Sequence, residues 1–370
     1  MQEDKHGNLI LRKPPNRFKR WVARHKKLAI ILSVVIVLVI STATAAVFYF
    51  MQPKAEPPKE TVTKEEPAPE PPKPKYYSPL TGVEVADEAA TTQAVTGIMI
   101  ENSPDARPQS GIKNSGVVFE AIAEGGITRF LVLYQQEKPQ LIGPVRSVRM
   151  YYVDWVAAFN ASVAHIGGSA AALAEVRNGN YRDIDQFFNS GAYWRATDRY
   201  APHNVYTSFE RLDALNASKG YTSSNFTGFT RKDSSAAKTP SASSIAVTIS
   251  SASYNSNYTY DPATNLYNRT HSGTPHLDRE AGQITPRVVV VMKVPMARVF
   301  EDGWREQINT IGSGQATIFQ DGTVADVTWT KNSKTEQIKF TDANGADVPL
   351  ARGQTWITAV PASTGGVTWQ

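Results

Sequence analysis

The 370-residue chain contains no cysteine. Without thiols there can be no disulfide framework, no thiolate metal site, no cysteine nucleophile and no cysteine to carry a lipid anchor. Any part that works outside a cell must therefore stand on its apolar core alone. A net excess of positive charge is also missing outside one short stretch. Residues 1–27 carry nine Lys or Arg against Glu3 and Asp4, a net +7, so a whole-chain charge of +5 leaves −2 for residues 28–370. A surface that tracks phosphates needs clustered Lys and Arg on the folded part, so nucleic acid is not expected as a partner. Compact metal-ligand spacings such as H-E-x-x-H are missing too, and neither a resident metal nor a cofactor is expected.

What is present first is a span. From Leu28 through Phe50 the chain runs for 23 residues without a charge. As helix that is about 35 Å, enough to cross a hydrocarbon core of about 30 Å. The basic residues packed before it, among them Arg17, Lys19, Arg20, Arg24, Lys26 and Lys27, hold that end in the cytoplasm. A single-pass protein of the cytoplasmic membrane is expected, with everything after Phe50 outside. Ala43-Thr44-Ala45 fits a signal-peptide cleavage pattern, but the apolar run continues through Met51, longer than a signal core of about 7–15 residues. The uncleaved anchor is the favoured reading. Residues 51–75 alternate Lys and Glu among prolines; they contain nothing to build a core and read as an extended spacer.

Two textures follow. Residues 76–231 mix strand-length apolar runs (96–100, 117–123, 129–134 and 162–166) with helical periodicity at 147–159, 169–177 and 208–215, an α/β pattern. Ser169 is placed to cap the second helix. A Ser/Ala-rich linker is expected at 232–244. Residues 245–370 read as mainly β, with strands at 245–249, 257–260, 287–294, 316–320, 327–330, 337–340 and 355–360, and turn signals at Asp261-Pro262, Asp321-Gly322 and Asn344-Gly345. The expected class is α+β: a transmembrane helix, an α/β domain and a mainly β domain.

Chemistry-bearing residues are densest between Ile100 and Asn204. Glu101 and Asn102 end one strand. Glu120 and Glu124 share strand parity, and Gly125-Gly126 turns the chain toward Arg129, which either pairs with Glu124 or meets a ligand. Arg146 and Arg149, three apart, are expected on one face of a helix start, where free amides and guanidinium forks suit an anion. His165-Ile166-Gly167-Gly168-Ser169 resembles a nucleophile elbow, but Ala171 stands where its last glycine belongs. Trp194, Arg195, Asp198, Arg199, His203 and Asn204 complete the set. His271 and His276 flank a Gly/Pro loop without a compact ligand spacing.

At these residues a family becomes visible. ENSPDARPQSGI (101–112), VVFEAIAEGGITRFLVLY (117–134) and IGPVRSVRMYY (142–152) resemble successive motifs of the bacterial YerB-like lipoprotein family. APHNVYT (201–207) and GQTWI (353–357) are similar to it as well. The resemblance spans about Tyr76 to the C-terminus, as two family domains. It implies an address at the cell envelope and a fold, and brings no reaction with it. The chain departs from the lipoprotein pattern in having no cysteine to acylate, and a membrane helix stands in its place.

The expected role is non-catalytic recognition of an anionic or zwitterionic cell-wall ligand, peptide or glycan. The ligand residues would be Glu101, Asn102, Glu124, Arg129, Arg146, Arg149, Ser169, Arg195, Arg199, His203 and Asn204. The rivals are an envelope glycan hydrolase using Glu101, Glu120 or Glu124 with His203, and a structural partner of a membrane complex.

Overall fold

In the computed structural model, residues 16–53, 74–298 and 305–370 are described. The first 15 residues of the basic tail, residues 54–73 of the spacer and Trp304 lie outside them. Met1–Pro72 and Lys73–Gln370 form two separate units.

In the first unit, helices α1 (Arg17–Arg24) and α2 (Lys26–Met51) follow one another. α2 is the helix among the described residues that is long and apolar enough to cross a membrane. Its serine and threonine hydroxyls bond back along the helix: Ser33 donates to Ala29 O, Ser41 to Val37 O, Thr42 to Leu38 O and Thr44 to Ile40 O, at 2.7–2.8 Å. Hydroxyls bonded back along their own helix present no unmet donor to lipid.

The second unit is built on a ten-stranded sheet. Its N-terminal strands are β1 (Thr96–Glu101), β2 (Val117–Glu124), β3 (Ile127–Tyr134), β4 (Ser162–Ala164) and β5 (Arg182–Asp183). A second, five-stranded sheet contains β6 (Ser244–Thr248), β7 (Ser256–Asp261) and β8 (Leu266–His271). The first sheet is completed by β9 (Val288–Val294), β10 (Gly312–Gln320), β11 (Thr323–Lys331), β12 (Lys339–Thr341) and β13 (Thr355–Pro361), in the order β12-β11-β10-β9-β13-β2-β3-β1-β4-β5. The strand β14 (Gly366–Trp369) returns to pair with β6.

β13 lies parallel to both β9 and β2, with Trp356 opposite Val118 and Ile357 opposite Phe119. The mixed N-terminal region and the mainly β region thus share one sheet. Strand parity decides the layers. Met99, Phe119, Leu131, Val290 and Ile357 face a core shared with helix α3 (Met150–Ala157), through Tyr152, Trp155 and Val156. Ile98, Val118, Phe130 and Trp356 face the other way, toward helix α5 (Phe209–Ser218). Between these two in sequence, α4 (Ala170–Val176) is capped by Ser169, whose Oγ accepts from Ala172 N. Val289, Val291 and Phe319 pack on the second sheet through Ile245, Val247 and Tyr258. β9 is buried on both faces, which is why it reads as an unbroken valine run.

The expected strands recur with ends shifted by a few residues, and β5, β8 and β14 are additional. One helix differs in a way that matters. α3 starts at Met150, not at 147, because the backbone before it is held extended by neighbours: Arg146 N bonds Met99 O at 2.8 Å and Val148 N bonds Gly167 O at 3.0 Å.

Candidate functional site

The charged residues collect where β1 ends and β3 begins, with Glu101 directly opposite Arg129. Arg129 Nη2 donates to Glu124 Oε1 at 2.5 Å, and Arg149 donates to Glu124 Oε2 through Nε and Nη2 at 3.1 and 2.7 Å. Arg129 also donates to Ser147 O, and Arg149 to Val148 O. Burial alone pushes the Glu124 carboxyl up, but the two guanidiniums outweigh it and hold it below the ordinary carboxylate range. Glu124 is therefore a fixed anion rather than a proton donor, and the pairing across the Gly125-Gly126 turn is the structural one. Arg149 is the N-cap of α3, and Arg146 lies before the helix in extended backbone. They do not share a helix face: Arg146 Nε turns to Glu101 Oε1 at 3.3 Å.

Glu101 is only 4 % exposed. Its Oε1 accepts from Ser103 Oγ at 3.0 Å and stands 3.0 Å from His203 Nδ1, while Oε2 has no hydrogen-bond partner. The other ring nitrogen, His203 Nε2, lies 3.9 Å from Asp105 Oδ2. Both residues line an open cleft of about 630 Å³, together with Arg107, Pro108, Asp198, Arg199, Tyr200 and Arg279, a volume suited to a small ligand. Arg199 donates to the main-chain carbonyls of Asp105 and Pro108, at 3.1 and 2.5 Å. Arg107 donates to Asn102 Oδ1 and to the carbonyls of Asn102 and Ser253. Arg279 is paired with Asp198 at 2.6 Å. Among the described residues neither Arg107 nor Arg199 meets a carboxylate. Arg107 and Arg199 thus stand on the cleft without an ion pair of their own, held by neutral oxygens, although the Arg199 charge is felt by nearby Asp198.

Behind the cleft runs a buried polar network, and two of the expected site residues belong to it. Glu120 is fully buried; its Oε2 accepts from Arg269 Nη2 (2.9 Å) and Trp356 Nε1 (3.0 Å), and its Oε1 from Thr128 Oγ1 (3.1 Å). Asn102 Nδ2 donates to Thr128 Oγ1 at 2.7 Å, and Asn102 Oδ1 accepts from Arg107 and Gln109. Arg269 also bonds His276 Nδ1. Because arginine only donates, His276 Nδ1 must accept, which leaves its Nε2–H to donate to Gln109 Oε1 at 2.9 Å. Burial and the nearby Arg269 and Arg107 charges hold both histidines neutral: His271 falls to about 2, and His276 also lies well below its ordinary value. Glu120 is out of reach of any ligand, so as a catalytic candidate it is corrected to a structural residue that joins β2 to β8. The sequence carried a usable signal here. Tyr267, Arg269 and His271 share the buried parity of β8, and an arginine on an inward position needs an internal anion.

The remaining candidates are structural. Arg195 donates to Asn204 Oδ1 at 2.8 Å and Asn204 Nδ2 to Ala196 O at 3.2 Å, which pins the hairpin Tyr193–Arg195 and Val205–Thr207. The ring of Trp194 is covered by Arg211, 4.8 Å away. Ser169 caps α4 and, with Arg149, lines a second cleft of about 660 Å³ that also touches Asp154 and residues 305–311. His165, Asp183 and Asp185 bring their ligand atoms within 4.8 Å of one another. Arg177 bonds Asp185 and reaches Asp183 at 3.6 Å, while His165 Nε2 lies 3.0 Å from Asp183. The guanidinium fills the cation's role there.

Two family models match the chain. The N-terminal domain of "Protein of unknown function (DUF3048)" covers residues 80–222 and the C-terminal domain of the same family covers 245–357. A protein of Bacillus subtilis (strain 168) named "Putative lipoprotein YerB" is 31% identical over 294 residues, 78% of this chain and 87% of that protein. The crystal structure of the YerB protein from Bacillus subtilis is similar with a TM-score of 0.71 at 28% identity, covering 80% of this chain and all of that one.

Proposed function

We propose that this chain, which belongs to the DUF3048 family, is an envelope protein that holds its folded unit outside the cytoplasmic membrane and binds an anionic or zwitterionic wall ligand without catalysis. Envelope association is supported by the lipoprotein name of its relative and by the apolar helix Lys26–Met51. A membrane helix and a lipid do the same mechanical work, tethering a folded unit to a bilayer by buried hydrocarbon. The basic residues before the helix favour a cytoplasmic N-terminus.

The single observation that carries recognition is the pair of guanidiniums, Arg107 and Arg199, that stand on an open cleft with no ion pair among the described residues. Each retains its charge, and an anion entering the cleft would receive charge-assisted hydrogen bonds. Hydrolysis by paired carboxylates loses support, since Glu124 is clamped by two arginines and Glu120 is buried. A hydrolytic reading keeps one observation in its favour, the His203 ring oriented by buried Glu101, a base–orienter geometry.

The test is calorimetric titration of full-length protein in detergent with solubilised wall fragments, followed by mass spectrometry of the ligand. Recognition predicts binding that Arg199→Ala weakens about tenfold or more, with the ligand recovered intact. Shortened fragments, lost in a His203→Ala variant, would replace recognition by hydrolysis.

A further inference from the structure

Tyr200 stands on the same cleft with 91 % of its surface exposed. Among the described residues its side chain has no hydrogen bond, ring contact or cation–π partner. An aromatic ring left this open does nothing for folding, yet its flat apolar face is the surface on which another flat apolar face can be laid. The rest of the cleft is strongly polar. Asp105 and Asp198 present carboxylates that are 82% and 50% exposed on the same cleft, Asp105 lying 3.9 Å from His203 Nε2 and Asp198 paired with Arg279.

We infer that the ligand of this cleft is an anionic sugar, whose ring stacks on Tyr200 while its phosphate or carboxylate is held by Arg199 and Arg107. The inference rests on the recognition reading of the same cleft and names the ligand class for it. A pyranose ring has one face of C–H groups and a rim of hydroxyls. The C–H face matches the tyrosine ring, and the hydroxyls match Asp105 and Asp198, which as ionised carboxylates accept only. The appended anion matches the two guanidiniums that hold no ion pair among the described residues. An acidic peptide would use the arginines but would gain nothing from an open aromatic ring beside hydroxyl acceptors.

The experiment titrates full-length protein in detergent with five probes: glucose 1-phosphate, glucuronate, glucose, glycerol phosphate and triglutamate. Glucose 1-phosphate and glucuronate, which have both ring and anion, should bind best; whichever binds tighter tells phosphate from carboxylate. Glycerol phosphate lacks the ring, glucose lacks the anion and triglutamate is a peptide; each should bind about fivefold or more weakly. Tyr200→Ala should weaken the ringed anions about fivefold and leave triglutamate unchanged, with Tyr200→Phe restoring the native value. Arg199→Ala should weaken every anion. Equal binding of triglutamate or glycerol phosphate, or no effect of Tyr200→Ala, would overturn the sugar while anion recognition stood. No binding of any anion, with no effect of Arg199→Ala, would overturn both.

Discussion

Replacing Glu120 by alanine tests the claim that the two family segments are locked together by a buried charge pair. Glu120 sits on β2 and Arg269 on β8, 149 positions apart in sequence, and both side chains are fully buried. Removing the carboxylate leaves the Arg269 guanidinium in the core with the Tyr258 hydroxyl and the His276 nitrogen as its hydrogen-bond partners among the described residues, and with aromatic rings but no anion beside it. It also strips the acceptor from Trp356 Nε1 and Thr128 Oγ1. Breaking one side of a buried pair costs about 3–5 kcal/mol, because an uncompensated charge remains. The orphaned donors belong to the same network, so their costs are not added on top. For a unit of this size, at about 2 °C per kcal/mol, the loss corresponds to a fall of about 6–10 °C in melting temperature. Differential scanning calorimetry of the full chain in detergent measures it, with Tyr200→Ala, a change at a 91 % exposed side chain, as the surface control that should move little. The double variant Glu120→Ala/Arg269→Met removes both charges and should regain at least half of the loss. A fall under about 2 °C, or a double variant no better than the single one, would refute the reasoning.

Two further outcomes follow from the same contacts. Glu124 has a native carboxyl held below its ordinary value of 4.5, so on acidification the unfolded chain takes up its proton first. The stabilisation is complete above about pH 4.5 and is lost as pH falls through the lower native value. Melting temperature should therefore drop more steeply between pH 5 and 3 in the wild type than in Glu124→Gln, which starts lower at pH 7 because Arg129 loses its anion; parallel curves would sink the assignment. At the His165, Asp183 and Asp185 cluster, Arg177 already supplies the cation. Adding zinc or magnesium, or stripping metal with EDTA, should leave the melting temperature within about 1 °C, whereas a metal-dependent rise of about 3 °C would mean that an ion displaces the guanidinium.

Much of the local structure was legible because it depends on neighbours in sequence. The Ser169 cap, the helix beginning at 208, the valine run of β9 and the alternation of β6 are set by periodicity and side-chain hydrogen bonding over a few residues. The site was less legible. Arg146 and Arg149 looked like a matched pair for one anion, yet extended backbone before Met150 sends them to Glu101 and Glu124. Arg107 was passed over because the contacts that hold it without an ion pair come from Asn102, Ser253 and His271, the last two far away in sequence. Tyr200 carries no signal in a linear reading, since only burial distinguishes a packed tyrosine from an open one.

The apolar helix long enough to cross a membrane, the charge of the tail, the absence of thiol chemistry and the family were determined by the sequence itself, because each rests on composition or on contiguous residues. Which charges are free was decided by the tertiary structure alone. A guanidinium that meets a carboxylate is a fastening, and one that meets only carbonyls remains a binding group. That difference depends on partners as much as 146 positions away, brought together by the pairing of β13 with β2 and by the seating of β8 against the buried Glu120.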